Sequence, residues 1–113
     1  MVTTALPRDD GFMSTSPPAY LIANITVHDP EGYAEYRSLA GATVAAHGGR
    51  YVVRGGTTDS LEGDPPSRVV VLEFPSMEAA RGWYSSAEYQ HAARIRQGAS
   101  TSQIFFVEGA PSD

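Results

Sequence analysis

Two polar side chains interrupt apolar, β-branched segments of this chain and are its first candidates for chemistry. Glu73 follows the run RVVVL, and Asn24 lies within YLIANITV. An apolar interior raises the pKa of a carboxyl group and a nearby arginine lowers it, so Glu73 could transfer protons in an isomerisation or a cyclisation. We predict Glu73, Asn24 and Arg54 as catalytic residues, with Arg68 as a second cation that could pair with Glu73. The competing interpretation is a structural ion pair between Glu73 and an arginine.

Aromatic and histidine side chains of the predicted helical regions form the candidate binding set. Tyr33 and Tyr36 are three residues apart and therefore lie on one face of a helix, where their hydroxyl groups could reach a ligand. His47 could complete an acid–base set with Glu73. In the competing interpretation, the aromatic rings belong to the core and the histidines lie at the surface. The predicted substrate-binding residues are Trp83, Tyr84, Tyr33, Tyr36, His47 and His91.

The composition excludes several classes of site. The chain has 113 residues, no cysteine and no lysine, since all eight of its basic residues are arginine. These counts exclude disulfides, thiolate nucleophiles, cysteine zinc sites and lysine Schiff bases. The three histidines lack metal-ligand spacing, and the sequence contains no phosphate-binding glycine loop with its lysine. We therefore predict neither a metal site nor a cofactor.

Charge and hydropathy restrict the partners and the location that we expect. The net charge of −5 disfavours binding to nucleic acid, which depends on neutralising phosphates. No segment approaches the ~20 consecutive apolar residues of a membrane span, and no basic region followed by an apolar run marks an export signal. We expect a cytoplasmic protein that binds neither nucleic acid nor membranes.

Alternating and β-branched apolar segments predict a sheet of four strands. In the first strand, Leu21, Ala23 and Ile25 share a wholly apolar face, whereas the even positions are mixed. The pair Gly55-Gly56 predicts a bend after the second strand. The predicted strands are 19–27, 50–54 with a candidate continuation over 57–62, 67–74 and 103–108.

Capping residues place three helical segments between these strands. Side-chain acceptors and proline are typical of helix starts, and glycine is typical of helix ends. The first helix lies between Asp29-Pro30 and Gly48-Gly49, the second begins at Ser76, and the third runs from Ser86 through Arg96 to an end at Gly98. The order β-α-β-β-α-β, with two interleaved right-handed crossovers, predicts a ferredoxin-like α+β fold with its helices on one face of an antiparallel sheet.

The predicted domain spans residues 19–109. Residues 1–18 are rich in Thr, Ser, Pro and Asp and show no periodicity, which predicts a disordered N-terminal tail. Met13 is an alternative start within that tail. Residues 110–113 are predicted to be a C-terminal tail.

The sheet face opposite the helices should carry apolar side chains as well as Asn24 and Glu73. A patch of this size exceeds what a monomer usually exposes, so we predict a homodimer formed through this sheet face. A polar group buried there must be paired or must serve a ligand. The apolar members are Tyr20, Ile22, Val69, Val71 and one of the pairs Ile104/Phe106 or Phe105/Val107.

Three segments are distinctive enough to indicate a family. GGRYVVRGG, VVLEFPS and WYSSAEYQ are the most specific parts of a pattern that spans about residues 19–109. In these segments the chain resembles the domain-of-unknown-function family 1330. The resemblance implies a dimeric α+β barrel and little about chemistry, because the wider superfamily contains several kinds of enzyme, stress-responsive barrels and ligand-sensing domains.

Two residue sets resemble the equipment of particular members of that superfamily. Asn24, Trp83 and His91 are similar to the Asn, Trp and His of the haem-degrading relatives. Asn24, Trp83 and Tyr84, with one arginine, resemble the equipment of the cofactor-independent monooxygenases. Those enzymes bind and position the anion of an electron-rich phenol, which reacts with oxygen directly.

Three functions remain open on this basis. We favour a homodimeric barrel that binds a small molecule, as a cofactor-independent enzyme acting by proton transfer or oxygenation on a small aromatic or polyketide-like substrate. The first alternative is a non-catalytic ligand-binding or stress-response module, and the second is a haem-binding or haem-degrading protein. A ligand site predicts a cavity of ~300 Å³ or more in the dimer, lined by the candidate residues, whereas a purely structural dimer predicts none.

Overall fold

The chain folds in the predicted ferredoxin-like order, with its second helical region divided in two. The computed structural model describes residues 16–111. Residues 1–15 of the predicted N-terminal tail (1–18), with Met13, and residues 112–113 of the predicted C-terminal tail lie outside the described residues. The four strands form one antiparallel sheet in the order β2-β3-β1-β4. The elements are β1 (Ala19–Val27), α1 (Pro30–Ala46), β2 (Arg50–Arg54), β3 (Arg68–Phe74), α2 (Met77–Ser85), α3 (Ala87–Ala99) and β4 (Ser100–Glu108).

Alternation along the strands separates a helix-covered face of the sheet from an open face. The odd positions of β1 from Ala19 to Ile25 are buried, whereas the even positions between them are partly exposed. The helices pack on the buried side, where Trp83, Phe74 and Tyr89 are each at most 1% exposed. The Trp83 ring centroid lies 4.0 Å from that of Tyr89 and 5.2 Å from that of Phe74. This aromatic cluster anchors the helices to the sheet.

Serine caps explain why the second helical region consists of two helices. The Ser76 hydroxyl accepts a hydrogen bond from the Ala79 amide, and the Ser86 hydroxyl accepts one from the Tyr89 amide. Ser86 therefore ends α2 and begins α3. Asp29 occupies the N-cap position of α1 as predicted, but its side chain makes no capping hydrogen bond.

Three predicted boundaries are wrong. β4 begins at Ser100 and not at residue 103. Residues 57–62 do not continue β2; they belong to an exposed connection that follows Gly55, whose φ of +69° turns the chain away from the sheet. Gly98 does not end α3, which continues to Ala99 and passes directly into β4. The Ser100 hydroxyl donates to the Arg96 carbonyl oxygen and satisfies the end of the helix without a glycine cap.

An irregularity in β2 decides which way its arginines face. The pairing with β3 shifts register between Tyr51 and Val53. Arg50 pairs with Glu73, whereas Arg54 pairs with the buried Val70. In a regular strand Arg50 and Arg54 would share a face. The bulge therefore sends Arg54 to the helix-covered side and leaves Arg50 on the open side.

Candidate functional site

A cavity lies between the helix-covered face of the sheet and the helices, and we call it the interior cavity. Aliphatic side chains of β1 and β3 and the buried Trp83 form its floor. Its volume is about 20 Å³, which is room for roughly one water molecule. The cavity of this protomer is therefore far smaller than the ~300 Å³ expected of a ligand pocket. Its polar lining comes from Tyr33, Tyr36, Tyr51, Tyr89, Arg37, Arg54 and Arg68.

Within the described part of the chain, three arginines and no carboxylate line the interior cavity. The Arg68 Nε donates a 3.2 Å hydrogen bond to the Tyr33 hydroxyl, and the Arg54 guanidinium lies 4.1 Å from the centroid of the Tyr51 ring. Among residues 16–111, no carboxylate forms a salt bridge with any of these arginines. Aromatic faces stabilise the charges of Arg54 and Arg68 in part, and an electropositive site able to attract an anion remains.

Tyr36 and Tyr51 are hydrogen-bonding groups of the cavity and not bases at neutral pH. Burial is the main cause that raises the pKa of Tyr36, and the Tyr89 hydroxyl 3.0 Å from its own adds to the shift. Burial also raises the pKa of Tyr51, although Arg54 opposes the shift. Both phenols therefore keep their protons and can donate to an anion.

Glu73 lies on the open face, where it is fully paired. The Tyr20 hydroxyl donates to its Oε2 at 2.9 Å, and the Arg50 Nε donates to its Oε1 at 2.7 Å. The predicted pairing of Glu73 with Arg54 or Arg68 is wrong, because both of those arginines line the cavity on the opposite side of the sheet. The hydrogen bond to Glu73 is also the main cause that raises the pKa of Tyr20.

Asn24 shares the open face with Glu73 but belongs to a separate group. Its Nδ2 donates a 3.2 Å hydrogen bond to the Gln103 Oε1 on the neighbouring strand. Glu73 on β3 lies opposite Tyr20 on β1. Tyr20 is four positions from Asn24 along β1, so Glu73 and Asn24 are ~13 Å apart along the strands. The three predicted catalytic residues Asn24, Glu73 and Arg54 therefore do not meet in this protomer.

The structure brings together half of the predicted binding set. Tyr33, Tyr36 and Trp83 line the interior cavity, and the Trp83 Nε1 donates a 3.0 Å hydrogen bond to the Thr43 hydroxyl. The other three do not line it: Tyr84 lines a cavity at the edge strand β4, His47 caps the end of α1 with its Nδ1 3.0 Å from the Thr43 carbonyl oxygen, and His91 lies exposed on α3.

The two sets that resemble superfamily members are not assembled. Asn24 is on the open face, Trp83 is in the core and His91 is at the outer surface, so these three cannot surround one haem within a protomer. Asn24, Trp83 and Tyr84 are likewise divided between the two sides of the sheet. Only Trp83 and the arginines of the monooxygenase-like set converge on one cavity.

Sequence reasoning missed Tyr51, Tyr89 and Arg37 as cavity residues. The alternation of β2 could have indicated Tyr51, which pairs with the buried Leu72. The contact between Tyr89 and Tyr36 joins α3 to α1, and no local spacing predicts such a contact. In the described part of the chain, no group of three His, Asp or Glu side chains could hold a metal ion, and no helix is long and apolar enough to cross a membrane.

Solved structures show the same fold at low sequence identity. A protein of unknown function from Rhodopseudomonas palustris is 21% identical with a TM-score of 0.72, and the match covers 86% of this chain and 85% of that one. SnoaB, a cofactor-independent oxygenase from Streptomyces nogalater, is 15% identical with a TM-score of 0.60, over 86% and 97% of the two chains. A hypothetical Arabidopsis thaliana protein is 13% identical with a TM-score of 0.63, over 89% and 96%.

These similarities establish the ferredoxin-like α+β fold of the chain. No curated protein is significantly similar in sequence to this chain. Residues 18–110 match the family model described as a domain of unknown function, DUF1330. Since the match covers nearly all of the described residues, the chain belongs to the DUF1330 family.

Proposed function

We propose that this chain binds a small aromatic anion in the interior cavity and stabilises it for a cofactor-independent reaction with dioxygen. The observation that carries the proposal is the convergence of Arg37, Arg54 and Arg68 on an aromatic-walled cavity that no carboxylate of residues 16–111 lines. A phenolate or enolate satisfies both features, because its ring packs on the aromatic walls and its oxygen accepts from guanidinium groups.

The arginines supply the chemistry without a side-chain base. A guanidinium near a bound phenol lowers the phenol pKa, so the proton can leave to solvent and the electron-rich anion remains. A CH₂ group activated by that anion then reacts with dioxygen to give a carbonyl group and water. The substrate loses four electrons and dioxygen gains four, with one oxygen atom in the product and the other in water. The fold shared with a cofactor-independent oxygenase supports this reaction class.

Ligand entry requires the arginine side chains to move. The cavity volume of about 20 Å³ cannot hold an aromatic ring as it stands. Arg54 lies on the short edge strand β2 and is exposed, and its guanidinium rests on the Tyr51 ring. Rotation of this side chain exchanges a cation–π contact for an ion pair with the ligand. Such rotamer changes are common on binding.

The same proposal includes a homodimer formed through the open face. Phe105 and Val107 are the β4 pair on this face, and they are 46% and 44% exposed. Val71 lies between Ile22 and Val53 in the register of the sheet and extends the apolar surface. Burial of such side chains against a second copy removes apolar area from water, which favours a dimer through this face.

A non-catalytic ligand-binding module is the second candidate. It is favoured by the protonated phenols of Tyr36 and Tyr51 and by the lack of a carboxylate or histidine in the described lining. A site of this kind binds an anion without any group that removes a proton from carbon. Oxygen consumption separates the two candidates.

The test uses dihydroxyanthrone, a phenol with one activated CH₂ group, and the full chain. Binding is measured by fluorescence titration and turnover with an oxygen electrode, against the rate in buffer alone. The double variant Arg54→Gln/Arg68→Gln should bind about 10²- to 10⁴-fold more weakly, since hydrogen bonds to charged groups contribute ~1.5–3 kcal/mol each and two are lost. Arg81→Gln, an exposed arginine on α2, is the control with the same type of charge change.

Each outcome has a meaning. One dioxygen consumed per quinone formed, lost in the double variant and kept in Arg81→Gln, supports the oxygenase. Arginine-dependent binding without oxygen consumption above the buffer rate supports the binding module. No binding to the unaltered chain, or equal binding in the double variant, overturns the proposed site.

A further inference from the structure

Arg96 is the buried charged side chain of the described residues. It lies on α3, is 4% exposed, and its Nε has no hydrogen-bond partner. Its guanidinium lies 5.9 Å from the centroid of the Tyr36 ring, and no described carboxylate forms a salt bridge with it. A buried cation is costly unless a counter-charge stabilises it.

The position of Arg96 in the helix accounts for only part of that stabilisation. Arg96 is in the last turn of α3, where a cation opposes the partial negative charge of the helix end, roughly half an elementary charge. The carbonyl oxygen at that end already accepts a hydrogen bond from the Ser100 hydroxyl. A full counter-charge from outside the described chain would complete the site.

Arg96 lines a second cavity, which opens beside the edge strand β4 and which we call the Arg96 cavity. Its volume is about 290 Å³, and its surface is mostly polar. The Ser102 hydroxyl lies 3.2 Å from that of Ser100, and such hydroxyl groups can rotate to donate to a ligand. Apart from Ile104, no residue lines both this cavity and the interior cavity. The lining consists of Tyr84, Arg96, Gln97, Ser100, Ser102 and Ile104.

We propose that the Arg96 cavity binds a small oxyanion, a carboxylate or a phosphate, with Arg96 as its counter-ion. The planar donors of a guanidinium match the oxygens of both groups. The hydroxyl and amide groups of Ser102 and Gln97 provide further donors at the rim, and no acidic side chain of the described residues lines the cavity to repel an anion. The site uses none of the arginines of the interior cavity and therefore stands independently of the proposed function.

The experiment is a titration of the ¹⁵N-labelled full chain, followed by NMR. Sodium phosphate and sodium acetate are the probes, with sodium chloride holding the ionic strength constant. Saturable shifts of the Ser100 and Ser102 amides are expected. Saturation by acetate alone identifies a carboxylate ligand, and saturation by phosphate alone identifies a phosphate or phosphoryl ligand.

Three variants decide whether Arg96 is responsible. Arg96→Gln should abolish saturation, whereas Arg94→Gln, an exposed arginine on the same helix, should bind as the unaltered chain does. If Arg96→Gln fails to fold, Gln97→Glu decides, because it adds a negative charge at an exposed rim position and should weaken binding at least 10-fold. Linear, non-saturating shifts with both probes would overturn the proposal. Unchanged binding in Arg96→Gln, or in Gln97→Glu if Arg96→Gln fails to fold, would also overturn it.

Discussion

The two faces of the sheet use the same residue types in opposite ways. On the open face, Glu73 receives hydrogen bonds from Arg50 and Tyr20, so its charge is matched within the protein. On the helix-covered face, Arg54 and Arg68 lie against Tyr51 and Tyr33 with no carboxylate salt bridge among the described residues. Arginine and tyrosine thus serve a structural ion pair on one side and an electropositive cavity on the other.

This difference shows that whether a charged side chain is paired within the protein indicates a ligand site better than its residue type does. A carboxylate in an apolar strand is a candidate acid or base. In Glu73, however, each carboxylate oxygen already accepts a hydrogen bond from a protein side chain. Arg54 and Arg68 of the interior cavity lie over aromatic rings, and Arg68 also donates to a tyrosine hydroxyl; cations in such surroundings gain from an anionic ligand. The helix-covered face is therefore where we place ligand chemistry, and the open face is where we place assembly.

The largest expected effect is on the open face. Val71→Arg places an unpaired charge among apolar side chains of the proposed dimer contact, which costs ~3–5 kcal/mol when buried. The dimer dissociation constant should rise by roughly 10²- to 10³-fold. Sedimentation velocity over a range of concentrations measures the change.

The matched control places the same side chain on the helix side. Ala45→Arg adds an arginine at an exposed position of α1 and should leave the association unchanged. A Val71→Arg protein that associates as the unaltered chain does would remove the open face from the proposed dimer contact. The open face could then no longer be assigned to dimer assembly.

Much of the fold could be predicted from local patterns. Period-two alternation assigned β1 over 19–27 and β2 over 50–54 with the observed bounds, and Ser76 and Ser86 marked two helix starts. Gly98 misled because a glycine ends a helix only when the chain leaves it in a suitable conformation. Here Ala99 and Ser100 are buried, and the helix continues into the core.

The site was harder to predict because it depends on strand parity and tertiary contacts. Arg68 and Glu73 have opposite parity along β3, so alternation alone could have excluded their pairing. The face reached by Arg54 depends on the register shift in β2. The glycines that follow Arg54 do not indicate that face. The position of Arg50 opposite Glu73 also follows from that register, across the connection of residues 55–67 between β2 and β3.

A smaller effect is expected at alkaline pH on the helix-covered face. The folded-state pKa of Tyr36 lies above the usual value of 10.0, so the folded chain keeps a proton that the unfolded chain loses. The free energy of unfolding is therefore independent of Tyr36 below about pH 10 and falls above it, by up to ~1.4 kcal/mol per pH unit. Tyr36→Phe should show a shallower fall. Urea denaturation between about pH 9 and pH 11 measures both slopes, and equal slopes would contradict the buried, protonated phenol.

The smallest expected effect concerns Glu73. The Arg50 and Glu73 side chains are 68% and 24% exposed, so solvent screens their ion pair and Glu73→Gln should change the free energy of unfolding by at most ~1 kcal/mol. Loss of the carboxylate should lower the pKa of Tyr20, because its hydrogen bond to Glu73 is the main cause of the raised value. An ultraviolet pH titration measures the change in the pKa of Tyr20 and thereby tests whether the hydrogen bond between Tyr20 and Glu73 was present.

The same Glu73→Gln variant tests the division between the two faces. Binding of dihydroxyanthrone and oxygen consumption should remain within about 2-fold of the unaltered chain, as they should for the control Glu78→Gln at an exposed position of α2. A 2-fold change corresponds to only ~0.4 kcal/mol, which is smaller than the loss of any direct contact with a reacting anion. A 100-fold loss of turnover with unchanged stability would make Glu73 a catalytic residue and would place the chemistry inside the dimer, between the two open faces.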